Sequence, residues 1–314
     1  MTLTIILAII ASAIRLATPL IFASLGGTFS ERSGVVNIAL EGMMLMGAFF
    51  AVLVTHLYGS SFLGVLGAIV AGGVTALLLA FMSIHLRSNQ VVVGTAINIL
   101  AASLTAYFLE MVWHRSGQTD SLPKELSLTG NPKMFAFLEK IPVLGDIFSR
   151  FTPFVYLAFF MVFVSYFVIF KTPFGLRIRA VGEHPRAADT LGINVFKIRY
   201  ICVILSGCLA GLSGASLSLG TVSLFREGMS VGKGFIALAA MIFGKWHPVG
   251  AMFACLFFGF TEAIQIQAQT IGINVPPEFL QMLPYVATIL ALAGVVGKAT
   301  APAADGKPYE KGEK

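Results

Sequence analysis

A chain of 314 residues, 57% hydrophobic and only 11% charged, has too few polar side chains to enclose one water-soluble core, so the sequence reads as an integral membrane protein. Its formal net charge of +6 arises from 21 Lys and Arg against 15 Asp and Glu. No basic stripe with interleaved aromatics accompanies that excess, which argues against a nucleic-acid partner and for a basic bias toward one membrane face.

Apolar windows long enough to cross hydrocarbon as helices, about 20 residues each, recur from end to end. Nine are expected, at residues 3–25, 36–58, 61–86, 91–112, 153–170, 200–221, 234–244, 248–269 and 278–297. The fold class is therefore all-α, a polytopic bundle forming one transmembrane domain over residues 1–300. Window 3–25 has no basic residue before Arg15 and outruns a signal peptide, so it reads as a retained span. Window 234–244 is too short to cross alone and reads as a half-helix or part of a broken span.

Residues 113–152 mix Arg115, Lys124, Lys133, Lys140 and Arg150 with Asp120, Glu125, Glu139 and Asp146, and read as an external loop. Residues 171–199 carry Lys171, Arg177, Arg179, Arg186, Lys197 and Arg199, and the end of the chain adds Lys298, Lys307, Lys311 and Lys314. Short basic segments stay on the cytoplasmic side. The segment 171–199 and a flexible tail over 301–314 are therefore expected inside, and the N-terminus outside.

Within that basic segment, Gly182, Glu183, Pro185, Ala187, Ala188, Asp189, Gly192 and Ile193 describe a short surface helix capped at both ends. Such a helix, held at the membrane by flanking spans, is suited to contact a soluble partner.

Two stretches match in order. Gly34, Ile38, Ala39, Leu40 and Met43 align with Gly232, Ile236, Ala237, Leu238 and Met241, and Gly64, Ala68, Gly73 and Thr75 align with Gly250, Ala254, Gly259 and Thr261. With the orientation above, each pair runs oppositely through the bilayer, as in an inverted repeat with halves near 30–112 and 228–297. Gly26-Gly27 and Gly232-Lys233-Gly234 precede the repeated segments and are expected to break helices there. Gly207, Gly211, Gly214 and Ser218, and likewise Gly64, Ala68 and Gly72, have the spacing of close helix contacts.

No nucleotide-binding loop, nucleophile elbow or metal-ligand spacing occurs, so the chain is read as a non-enzyme with no metal and no cofactor of its own. Cys202, Cys208 and Cys255 lie in apolar runs and read as packing residues. The polar residues inside the spans are the remaining candidates, because a charge in hydrocarbon costs about 3 kcal/mol and tends to face a cavity or a partner. Asn37 with Glu41, Thr95 with Asn98, and Glu262 with Gln265 each share a helix face. They either line a common path or bond helices together. Glu110 sits near the outer end of its window and reads as interfacial.

Two stretches carry a resemblance: Glu31-Arg-Ser-Gly-Val-Val-Asn-Ile-Ala-Leu-Glu-Gly-Met-Met44 and Gly182-Glu-His-Pro-Arg-Ala-Ala-Asp-Thr-Leu-Gly-Ile193. Over nearly its whole length the chain resembles the inner-membrane permease of bacterial ABC importers, in the ribose and branched-chain amino-acid permease superfamily. It looks closest to the branch that takes up nucleosides with a basic-membrane-lipoprotein type binding protein. Branched-chain amino-acid and sugar permeases are the neighbouring alternatives, and a gradient-driven carrier is the alternative of another class. The resemblance implies a type II importer-like fold in which a second, different permease pairs with this one. It also implies a cytoplasmic ATPase that carries ATP and Mg, seated on residues 182–193, and an external binding lipoprotein or periplasmic protein. Membrane lipid surrounds the assembly.

Overall fold

The computed structural model describes residues 2–128, 151–271 and 299–311, together with the isolated positions Phe279, Met282 and Val286. The window expected at 278–297 and most of the 113–152 loop thus fall outside the described residues. What is described is nearly all helix, and seven helices are long and apolar enough to cross a membrane.

In chain order these are α1 (Thr2–Arg32), α2 (Leu40–Tyr58), α3 (Ser61–Ala80, continued by a π turn to His85), α4 (Gln90–Trp113) and α5 (Pro153–Lys171). Two short helices follow, α6 (Pro173–Glu183) and α7 (Pro185–Thr190). Then come α8 (Val195–Leu217, continued by a π turn to Val222), α9 (Lys233–Phe243) and α10 (Pro248–Ile271).

Local chemistry sets the ends. Asn89 accepts from the backbone N–H of Val91 and Val92 and so starts α4, and Asn194 does the same for α8 through Lys197 N–H. Pro153, Pro173 and Pro185 occupy first turns, where a missing N–H costs nothing.

At the centre of the bundle lies α8, and small residues let its neighbours approach at backbone distance. A Cβ on Gly72 would stand 2.2 Å from Gly207 O, one on Gly47 2.5 Å from Gly211 O, and one on Gly214 2.0 Å from Met44 O. These glycines join α2, α3 and α8 into one slab, the arrangement their spacing predicts. Large apolar side chains on the outer faces, among them Val70, Val92, Ile99, Phe160 and Phe163, are exposed. Such faces suit lipid or the surface of another membrane chain.

Two expectations need correction. Gly26-Gly27 does not break a helix, because α1 runs unbroken to Arg32 and Gly26 instead packs where a Cβ would lie 2.7 Å from Ser206 O. The break comes later, at residues 33–39. The tail, expected to be loose, is packed: Ala304 and Tyr309 are buried, and Ala304 N–H donates to Gly182 O. An aromatic and buried polar contacts outweigh the lysines that made it look like a solvated end.

Candidate functional site

Residues 33–39 leave the end of α1 and lead into α2, while α9 starts beside Glu41. One Glu41 carboxylate oxygen accepts from Gly232 N–H at 2.8 Å and the other from Gly234 N–H at 2.7 Å. A Cβ on Gly234 would lie 2.5 Å from the Glu41 backbone nitrogen. From there α9 runs 11 residues, about 16 Å at 1.5 Å per residue. Its far end lies at the end of α1, where Trp246 Nε1 donates to Glu31 and Arg32 Nε donates to Trp246 O. Hence α2 and α9 start side by side and lead toward opposite ends of the bundle.

The opening of α2 is held by amides. Asn98 Oδ1 accepts from Gly42 N–H at 2.8 Å and its Nδ2 donates to Ile38 O at 3.0 Å, and Gln90 Oε1 accepts from Val36 N–H at 2.7 Å. Asn37 is fully buried; its Nδ2 donates to Ser206 Oγ at 2.8 Å, and its Oδ1 has no hydrogen-bond partner among the described residues. Irregular backbone at membrane depth must find such partners, since no water or lipid supplies them.

On the other side of the α9 start, Lys233 Nζ reaches both oxygens of Glu262, at 2.7 and 3.0 Å. The pair is largely sheltered and forms part of a cavity of about 330 Å³ that also touches Arg15, Pro19, Thr221 and Arg226. A second cavity of about 460 Å³ shares Arg15, Leu16, Pro19 and Thr221 with it. Two carboxylates therefore grip the start of α9, Glu41 through backbone and Glu262 through Lys233. Each complements the positive end of the helix dipole.

Of the six residues expected to share a path, the structure brings Asn37, Glu41 and Asn98 together at the α2 opening and places Glu262 across the start of α9. Gln265 lies one turn further along α10, half-buried. Thr95 stands apart on an exposed face of α4, where its hydroxyl donates to Val91 O. Lys233 was missed by sequence reasoning, although its place between two glycines at the start of an apolar segment marks it.

The basic segment forms two helices rather than one. Gly182 and Glu183 close α6, His184 turns the chain, and only Pro185–Thr190 forms the second helix. The single helix expected over 182–193 is thus corrected, because Pro185 cannot donate to α6 and restarts the helix instead. Gly192 N–H donates to Asp189 O and Ile193 N–H to Ala188 O, with Gly192 at φ +80°, which is a Schellman end. Ala188 is buried, whereas Ala187 faces outward and Leu191 is 81% exposed.

Residues 9–292 match the family described as branched-chain amino acid transport system / permease component. The chain belongs to this permease family. It is 47% identical to the guanosine ABC transporter permease protein NupQ of Bacillus subtilis, over 95% of each chain. It is 43% identical to the nucleoside ABC transporter permease protein NupC of Lactococcus lactis, over 96% of each. It is also 29% identical to a second guanosine permease protein of Bacillus subtilis, NupP, over 91% of this chain and 82% of that one. The relatives are transport components, and the same organism holds two differently named permeases similar to this chain. With seven apolar helices, the protein is a multi-pass membrane permease.

Proposed function

We propose that this chain is one of two unlike permease subunits of an ATP-driven nucleoside importer in the bacterial inner membrane. Its N-terminus would face outward, and α6, α7 and the tail would face the cytoplasm. The observation that carries this reading is the near full-length identity to NupQ and NupC, both named as nucleoside-class permeases.

In this reading an external binding lipoprotein or periplasmic protein delivers the nucleoside, and a cytoplasmic ATPase carrying ATP and Mg seats against residues 182–193. This chain hydrolyses nothing. Closure of the ATPase pair moves α7 as a rigid body, and the movement passes into the spans. Asn37, Glu41, Asn98, Glu262 and Gln265 supply the polar groups about which the broken spans part. Thr95, on the outward face of α4, would join a path only where another subunit covers it. The halves 30–112 and 228–297 would be the inverted repeat whose broken members, α2 and α9, meet at Glu41.

A gradient-driven carrier would need a titratable or ion-binding group free to change partners. Glu41 is held by two backbone N–H donors and Glu262 by an ammonium, which weighs against that role. The test of substrate class is uptake of labelled guanosine by cells deleted for this gene and complemented with it. Uptake should return and be competed by other nucleosides, but not by leucine or ribose; competition by leucine or ribose alone would overturn the nucleoside assignment.

A further inference from the structure

Arg199, one turn into α8, is 1% exposed, yet among the described residues its guanidinium makes one hydrogen bond, from Nη1 to Lys307 O at 2.9 Å. Among the described residues its Nε and Nη2 have no hydrogen-bond partner, and neither has Oδ1 of Asp305 on the tail. Nη2 presses on Gly34, where a Cβ would stand 2.9 Å from Nη2 and 3.1 Å from Ala304 O. Gly34, at φ +88°, is the point where the chain leaves α1 for the opening of α2.

The same stretch of tail also reaches the end of α6, the turn between α3 and α4, and the start of α8. Ala304 N–H donates to Gly182 O at 2.9 Å and Ala303 N–H to Glu183 Oε2 at 3.2 Å, tying the tail to the end of α6. Glu310 pairs with Arg87 between α3 and α4, and the Tyr309 ring packs 5.5 Å from that of Phe196. Gly182 itself is pressed against Arg32 O, where a Cβ would lie 2.1 Å away. A buried guanidinium is a costly way to fasten a tail, since apolar side chains of equal volume often serve as well or better. The donors and the Asp305 acceptor left over among the described residues are the groups a second bonding arrangement would use, with the Asp305 carboxylate in place of the Lys307 carbonyl. Packed elements with two discrete arrangements are what carries movement between distant sites.

We propose that residues 303–310 and Arg199 form a strap that passes movement of the 182–193 segment to Gly34 and so to the opening of α2, with Arg199 and Asp305 as positioning residues for transport. This rests on the ATP-driven reading above.

The test uses the complete reconstituted complex with its ATPase and binding protein, and measures assembly, ATP hydrolysis and nucleoside uptake in the same vesicles. Arg199→Met and Asp305→Asn should assemble and hydrolyse ATP near the wild-type rate, while uptake per ATP falls roughly tenfold, within the usual range of coupling between sites. Arg199→Lys, which keeps a buried cation, should recover part of the loss. Should Arg199→Met fail to insert, Asp305→Ala, which removes the Asp305 acceptor altogether, is read beside Asp305→Asn, and the same loss of uptake per ATP with hydrolysis continuing is expected. Unchanged uptake per ATP in these variants, or hydrolysis and uptake falling together with assembly, would reduce the strap to a structural tie and overturn the proposal. Failure of the parent reading is separate, since wild-type vesicles would then show no ATP-dependent uptake at all.

Discussion

Glu41 and Gly234 meet where the two broken helices begin: the Glu41 carboxylate accepts from Gly234 N–H at 2.7 Å, and the backbones are so close that a Cβ on Gly234 would stand 2.6 Å from Glu41 Cα. The contact joins residues 193 positions apart and sets where α9 begins. It also makes Glu41 a partner of backbone, although its position within a span first suggests a group facing substrate.

Glu41→Ala removes both acceptors from the α9 start and leaves two N–H groups without their partner. Bonds to charged groups contribute about 1.5–3 kcal/mol each, so a fall in thermal unfolding temperature and loss of uptake are expected together. Glu41→Gln keeps one acceptor and should retain part of both. Unfolding of the purified proteins in detergent, measured beside uptake in cells, checks the order wild type, Gln, Ala.

Lys233 and Glu262 should behave as a coupled pair. Lys233→Met alone leaves a sheltered carboxylate unpaired, and Glu262→Gln alone leaves an ammonium. Each should destabilise by about 1–3 kcal/mol, and the double variant by less than the sum. A double-mutant cycle on unfolding reads this directly; strict additivity would show that the pair contributes nothing.

Gly211→Val should prevent assembly of the bundle. Its Cβ would lie 2.1 Å from Ala68 O, a backbone atom that cannot turn aside. Gly192→Ala is the contrast: no atom of the described residues lies within 4 Å of its Cβ, so only the left-handed backbone at φ +80° is strained, at a cost of about 1 kcal/mol. Yield of folded monomer in detergent should be lost for the first and kept for the second.

Near these elements the sequence was legible where one chemical rule acted alone. The Gly207, Gly211 and Gly214 spacing announced the close packing of α8, and Gly192-Ile193 announced the end of α7. The short window near 234–244 appeared as a half-helix. What escaped depended on contacts between distant segments. Gly26-Gly27 looked like a break because glycine favours one, yet Ser206 O fills the space a side chain would take and the helix continues. The tail looked loose because its charges dominate its composition, while its contacts with Gly182, Arg199 and Arg87 come from three other parts of the chain. Asn98 looked like a path residue and is bonded through both ends of its amide to backbone at Ile38 and Gly42, either side of the start of α2.

Burial pushes the Asp305 carboxyl up to about 7 from its ordinary 3.8, against the lowering effect of Gly306 N–H and Arg199. The folded chain therefore binds this proton more tightly than the unfolded one. The associated stabilisation is fully present below pH 3.8 and is lost as pH rises through about 7. Asp305→Asn should flatten that part of the pH dependence of unfolding. An unchanged profile would mean that Asp305 titrates alike in the folded and unfolded chain.

The energy source tests the whole account most directly. Vesicles holding this permease, its partner permease, the ATPase and the binding protein should take up guanosine only with ATP on the ATPase side, and should continue when ionophores collapse proton and sodium gradients. Uptake by this chain alone, without ATP and abolished by an ionophore, would contradict the account and return Glu41 to the centre as an ion-coupling group.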